Sequence, residues 1–478
     1  MPEVLLQYTP ILPEIFLAVA AILLLMYGVF TPDVPSEAPG WLAVVVLAAT
    51  GALVVMQDFG TAQLFDGAVV VDSFARFMKV LILIGSALAI ILSFDFLRDA
   101  KILKFEYPVL IMLCTIGMML MASSNNLISL YLSLELQSLA IYVLAAFRRD
   151  HVLSSEAGLK YFVLGALSSG LLLYGCSLVY GFTGTVSYSG IVAAVNGADR
   201  SVGLVFGLVF VLAGVAFKLS AVPFHMWTPD VYQGAPTPVT AFMASAPKVA
   251  AFAMLIRVVF DAFPGVAGDW QQIIIAVSVA SMVLGAFAAI GQRNIKRLMA
   301  YSSIGHVGYA LVGLSIGTPE GVTGVLIYLS IYVAMTLGSF ACILAMKRDG
   351  VHVEEISELA GLSRTKPMLA FLLAMLLFSL AGIPPLAGFF AKFYVFLAAI
   401  QAGYYWLSVV GVVTSVVGAF YYLAIIKTMY FEEPAPAFEP VPARVAFVLA
   451  LSGIFTLFYF IVPGPLIAAA RSAAGSLF

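Results

Sequence analysis

Six residues interrupt the most apolar runs of this sequence. They are Glu135 in LYLSLELQSLAIY, Lys160 in AGLKYFVLGALSSG, Lys218 in AGVAFKLSAVPFHMW, Lys248 in ASAPKVAAFAML, His306 in YSSIGHVGYAL and Lys392 in GFFAKFYVF. A charge at the centre of a bilayer helix costs roughly 2.5–3.5 kcal/mol on insertion scales, so each demands a reason. At a rise of about 1.5 Å per residue, Glu135 falls ~14 Å, Lys248 ~12 Å and His306 ~15 Å into its apolar run, and Lys392 ~14 Å from the outer end of its own. In a hydrocarbon core about 30 Å thick, these groups form a layer near mid-depth instead of a ladder across it. Lys160 is shallower, towards the inner side, and the depth of Lys218 depends on where its helix opens.

A carboxylate, several amines and an imidazole at one depth suit a chain of proton-exchanging groups. Lysine serves there because burial and neighbouring cations bring an amine towards exchange near neutral pH. Each residue also has a plain structural reading. Lys160 can snorkel to the interface, His306 can be a hydrogen-bonded core histidine, and Glu135 with a lysine can be a fixed ion pair. Glu14, in ILPEIFLA, reads as interfacial.

The positions of the prolines add to the pattern. Lys218 is followed by Pro223 and then by TPDVYQGAPTP, and Lys392 is preceded by Pro384 and Pro385. Proline removes a backbone donor and clashes with the preceding turn, so both helices must open. Open backbone at membrane depth is tolerated only where protein or a water cavity satisfies it. Two interrupted helices in corresponding halves point to a transport site, and simple proline kinks are the plainer alternative.

The elements that carry these residues follow from composition. The 478-residue chain is 63% hydrophobic and only 10% charged, against about 25% charged in ordinary soluble domains. The expected fold is an all-α polytopic membrane protein of fourteen transmembrane helices. The seventh (203–222) and twelfth (367–401) are broken, and two inverted five-helix repeats are expected, helices 4–8 and 9–13. The expected divisions are residues 1–105 for helices 1–3, 106–262 for the first repeat, 263–431 for the second and 432–478 for helix 14. With that count, fourteen of the 23 lysines and arginines fall in inner loops and five at outer ends, among them Arg76, Lys79, Arg200 and Arg257. The bias places both termini outside. MPEVLLQYTP carries Glu3 and no basic residue, unlike a cleavable signal peptide.

Several classes are excluded by what is missing. A net charge of −2 offers nothing to nucleic acid. Cys114, Cys176 and Cys342 lie singly in apolar runs with no metal-type spacing, and no GxGxxG follows a strand, so no cofactor or metal is expected in this chain. A sodium site would want several carboxylates and carbonyls; one buried carboxylate among amines favours protons over a cation/proton antiporter. A purely structural spacer is the third reading.

FKLSAVPFHMWTPDVYQGAPTPVTAFMASAPKVAAF, QRNIKRLMAYSSIGHVGYAL and FSLAGIPPLAGFFAKFYVF resemble the antiporter-like proton-conducting membrane subunits of bacterial respiratory complex I, across essentially the whole chain. The resemblance implies that Glu135 of helix five pairs with Lys218 of helix seven, that Lys248 of helix eight bridges, and that Lys392 of helix twelve is terminal, where subunit M would have glutamate. It places Lys160 and His306 on family positions. It also implies NADH:quinone oxidoreductase activity for the whole complex and a place in the bacterial cytoplasmic membrane. The implied partners are lipids and other membrane-arm subunits, namely M, K and the lateral helix of L; that helix itself is not expected here, since the chain stops after the fourteenth span.

Overall fold

The computed structural model describes residues 8–31, 36–57, 60–197 and 201–478. Arg200 and most of MPEVLLQYTP therefore lie outside the described residues. Apart from two short hairpins and the connecting turns, the described residues are helical. In order, the helices are α1 (Leu12–Phe30), α2 (Ala38–Val55), α3 (Ser73–Asp99), α4 (Glu106–Ser123), α5 (Leu127–Ala145), α6 (Val152–Thr183), α7 (Val202–Leu219), α8 (Thr228–Gly234), α9 (Thr237–Met243) and α10 (Ala246–Arg257). They continue as α11 (Ala267–Ile290), α12 (Ile295–Ser315), α13 (Pro319–Leu344), α14 (Pro367–Ala381), α15 (Ala387–Gln401), α16 (Tyr405–Phe431), α17 (Ala443–Phe458) and α18 (Gly464–Gly475). Among the described residues, eleven helices are long and apolar enough to cross a membrane, and α14, α15 and α17 are shorter apolar helices.

Close helix contact is achieved by small residues, as expected where lipid removes the hydrophobic drive between helices. Gly285 of α11 faces the backbone of Gly305 of α12. Further along the same contact, the Ser278 hydroxyl donates to the Gly308 carbonyl at 2.7 Å. α13 and the run Thr237–Ala262 are almost wholly surrounded by protein, whereas α1, α2 and α16 present most of their surface outward.

One local pattern occurs twice. The Asn126 side chain caps α5 by accepting from Ser129 N, and Asn294 caps α12 by accepting from Arg297 N. Each asparagine forms an antiparallel bridge with a residue beyond the following helix, Ser187 in one case and Glu355 in the other. The next amide repeats the agreement, Leu127 N donating to Val186 O at 2.9 Å and Ile295 N to Glu354 O at 2.8 Å.

The structure corrects several sequence expectations. The segment between α2 and α3, for which the sequence predicts no element, forms a hairpin, Ala62–Leu64 with Val69–Val71. Its turn uses Phe65 and Asp66 at positive φ followed by Gly67. The connector after α13 folds into a second hairpin, Lys347–Arg348 with Val351–His352. The eighth span is itself interrupted, since Ser245 (φ −114°, ψ −93°) separates α9 from α10. A proline at position 247 forbids an unbroken helix there. Beyond the expected last span, α18 packs against α3 and α13.

Candidate functional site

Both expected breaks are present, and their backbones match. α7 ends where Ser220 takes a left-handed conformation at φ 61°, and α14 ends on Gly382 at φ 91°. In each, the next two amides fold back on the preceding turn. Ser220 N and Ala221 N donate to Phe217 O and Ala216 O; Gly382 N and Ile383 N donate to Ser379 O and Phe378 O. This is the Schellman closure, which satisfies the helix's last carbonyls except the terminal ones. A proline follows three residues after each left-handed residue, Pro223 and Pro385. The first half resumes as α8 and the second as α15.

The carbonyls left over take lysines. Lys248 Nζ, from α10, donates to Leu219 O at 2.6 Å and to Ser220 Oγ at 2.6 Å. Lys392 Nζ, from α15, donates to Ala381 O at 2.9 Å and to Ser415 Oγ at 2.7 Å. Leu219 and Ala381 hold the same place in their motifs, immediately before the left-handed residue. The negative end of a helix macrodipole favours a cation there. Each amine also lies over an aromatic ring, Trp227 at 5.9 Å for Lys248 and Tyr309 at 4.8 Å for Lys392; such a face attracts a cation.

Lys218 is buried at the end of α7, where its amine donates to the Tyr142 hydroxyl of α5 at 3.1 Å. It sits over the rings of Tyr142 and Tyr161. Tyr161 stacks on Trp227 at 4.2 Å, so one aromatic pair separates Lys218 from Lys248. Glu135 lies on the same helix as Tyr142 but accepts from Ser169 of α6. Among the described residues it makes no ion pair with Lys218. Glu135 acts on Lys218 through its charge at longer range, while the direct hydrogen bond of Lys218 is with Tyr142, a residue the sequence did not mark. No ion pair among the described residues involves Lys218, Lys248 or Lys392.

His306 of α12 joins a hydroxyl cluster. Its Nδ1 lies 2.6 Å from Tyr328 OH and its Nε2 3.2 Å from Tyr422 OH. The Tyr422 hydroxyl continues to Ser302. Lys160 stands apart from the buried set. Its side chain is 40% exposed and forms ion pairs with Glu156 and Asp230, both at 2.7 Å. Asp230 also accepts from Arg297.

Sequence reasoning missed charged groups that only folding brings together. Glu14, expected at the interface, is buried and lies 2.6 Å from Lys79. Arg257, expected at an outer end, is buried between Asp72 and Asp261. A vestibule of about 430 Å³ is lined by Asp99, Arg148, His151, Lys296, His352 and Glu354. Burial holds His151 and His352 below the ordinary histidine range. Neither histidine was singled out in the sequence, because both lie in connecting segments with no apolar context.

Comparison with known proteins gives one consistent result. Residues 124–418 match the family model described as NADH:quinone oxidoreductase/Mrp antiporter, TM. NADH-quinone oxidoreductase subunit N of Parvibaculum lavamentivorans is 60% identical over 98% of both chains. The subunit N of Methylobacterium nodulans is 61% identical, again over 98% of each. Among solved structures, a chain of respiratory complex I from Thermus thermophilus matches with a TM-score of 0.82 and 33% identity, over 96% of this chain and 99% of that one. A chain of the Mrp complex from Dietzia has the same fold, with a TM-score of 0.86 at 23% identity over 98% and 97% of the two chains.

Proposed function

This chain belongs to the NADH:quinone oxidoreductase/Mrp antiporter membrane family, and from that premise we propose that it is the antiporter-like subunit N of a bacterial NADH:quinone oxidoreductase, moving protons through its mid-membrane layer. The observation that carries this reading is the setting of the three buried amines. Lys218, Lys248 and Lys392 are held by hydroxyls, carbonyls and rings, with no carboxylate in ion-pair contact among the described residues. A group so placed changes charge on small rearrangements around it, because no fixed counter-ion locks its proton.

The proposed relay comprises Glu135, Lys218, Lys248, His306 and Lys392, with Lys160 at the inner approach. Tyr142 links Glu135's helix to Lys218. The Tyr161–Trp227 stack lies between Lys218 and Lys248, and the hydroxyls around His306 serve the second half. Redox energy would arrive from neighbouring subunits through shifts in the two breaks, where a displacement of the half-helix moves the carbonyl that each lysine caps. The chain would bring no redox centre of its own, and oxidoreductase activity would belong to the whole complex. The adjoining subunits would be M, K and the lateral helix of L.

The full architecture is proposed as fourteen spans with both termini outside, divided at residues 105, 262 and 431. The doubled Asn126 and Asn294 caps and the doubled Schellman closures support two inverted repeats. A sodium-exchanging role is the weaker alternative, since the Mrp likeness at 23% identity speaks for the fold alone.

The test is Lys218→Arg beside Lys218→Ala. Arginine keeps the charge and the donors but does not release a proton at working pH. Both variants are expected to assemble, oxidise NADH normally with an acceptor that bypasses the membrane arm, and lose about ten-fold or more of pumping-coupled turnover. An assembled Lys218→Arg complex that pumps at the normal rate would sink the relay role.

A further inference from the structure

A polar stripe runs along α3 that the relay does not use. Asp72, Lys79, Ser86 and Ser93 are spaced seven apart and all are buried. Residues seven apart share a helix face, so one side of α3 carries a polar group every ~10.5 Å. Partners differ along the stripe. Asp72 meets Arg257 of α10 at 2.6 Å, Lys79 meets Glu14 of α1 at 2.6 Å, and Ser86 accepts from the Thr115 hydroxyl of α4 at 2.9 Å.

The first two pairs are both buried and both charged, yet they are built differently. Arg257 is held on every nitrogen, with Nε, Nη1 and Nη2 donating to the Ala122 carbonyl, Asp261 and Asp72 respectively. An arginine so held is a fixed bolt, because it does not give up its proton. Among the described residues, Glu14 and Lys79 form an ion pair only with each other. Neither the carboxylate oxygens nor the amine makes a well-directed hydrogen bond with any described residue. An ammonium has three donors and a carboxylate about four acceptor positions. Buried capacity of that kind recruits ordered water.

The stripe also reaches the relay. At its midpoint, Gly85 lets α3 approach α10 closely; a Cβ there would stand 3.1 Å from the Ala246 Cβ, two residues from Lys248. From that point, Ser86 and Thr115 lead one heptad along α3 to Lys79. Glu14 lies in the first turn of α1, at the membrane face from which α1 and α3 both start.

We propose that Glu14 and Lys79 form a proton-exchanging pair that serves the relay from the outer face, reached from Lys248 along the α3 stripe; this rests on the relay reading above. In the step itself, the Lys79 ammonium passes its proton to the Glu14 carboxylate, leaving a neutral amine and a carboxylic acid. Glu14 then releases that proton to water at the outer face. The amine takes the next proton from the Lys248 ammonium, handed along water held by the Ser86 and Thr115 hydroxyls, each water giving up one proton as it receives another. Charge and protons balance over the cycle.

The experiment uses sealed membrane vesicles in which the variant chain is the sole copy in the complex. Lys79→Arg keeps the ion pair but holds its proton. The double variant Glu14→Gln, Lys79→Met removes both charges together, so neither ion is left buried alone. Both are expected to assemble, to oxidise NADH normally with an artificial acceptor, and to lose about three-fold or more of pumping-coupled turnover. A purely structural pair predicts normal pumping from both, and that result overturns the proposal. If Lys79→Arg does not assemble, the double variant decides. Failure of both to assemble assigns the pair to holding α1 against α3 and overturns the proposal as well. Lys218→Arg in the same vesicles separates the two readings. Normal pumping there removes the relay, whereas slow Lys218→Arg beside normal Lys79 variants removes this inference alone.

Discussion

The two broken helices share a backbone and differ in how they obtain their cation. In both, a Schellman closure ends the first half-helix, a left-handed residue follows, and a proline stands three residues later. In both, a lysine amine sits on the carbonyl just before the left-handed residue. In the first break that lysine comes from the next span, α10, and the left-handed residue is a serine whose hydroxyl joins the amine. In the second it comes from the same span's second half, α15. The next span there supplies only Ser415, whose hydroxyl donates to the lysine's carbonyl acceptor at 3.3 Å and accepts from the amine itself. The difference teaches that the constant is an amine over an exposed carbonyl end, not a particular helix position. A helix end that presents unsatisfied carbonyls and the negative pole of its dipole takes a cation from whichever neighbour can reach it.

If that equivalence is functional, Lys248→Met and Lys392→Met should be alike. Each is expected to leave an assembled complex with about ten-fold or more lower pumping-coupled NADH oxidation. Full activity in one and loss in the other would break the comparison and leave a single working break. A smaller effect is expected from Gly382→Ala. A side chain at φ 91° is strained, and the added Cβ would stand 3.0 Å from Lys392 Cδ. The left-handed conformation costs roughly 1–2 kcal/mol, to be read as a lower temperature of half-dissociation of the purified complex. The smallest effect belongs to Ser220→Gly. Glycine relieves a similar roughly 1–2 kcal/mol of backbone strain, while the lost hydroxyl removes one charge-assisted hydrogen bond worth about 1.5–3 kcal/mol. The two nearly cancel, so thermal stability should stay within about 1 kcal/mol of the parent. A large loss would mean that the serine hydroxyl, and not the carbonyl, holds Lys248.

Much of this site was legible before folding. A lysine and a proline within two turns or so of each other in an apolar run are a local contradiction, and they marked the breaks at Pro223 and at Pro384–Pro385. His306 was legible for the same reason, although its tyrosine partners come from α13 and α16 and were not. Lys160 looked like the other buried lysines in sequence, but its helix is long and its position lies towards the N-terminal end of that helix, where Asp230 and Glu156 meet it. Glu14 and Lys79 misled in the opposite sense. Each stands near the end of its own apolar run and so reads as interfacial, yet α1 and α3 bury them against one another.

By itself the sequence determined the membrane class, the apolar spans, the two interruptions and which titratable residues lie within those spans. Those properties depend on composition and on neighbours within a turn or two. Only the tertiary structure decided that Lys248 and Lys392 cap equivalent carbonyls, that Tyr142 makes the direct hydrogen bond to Lys218, and that Glu14 finds Lys79. The physical reason is that a buried polar group must be satisfied by whatever helix packs against it, and the chain separation between such partners, 65 residues from Glu14 to Lys79, leaves no trace in local pattern.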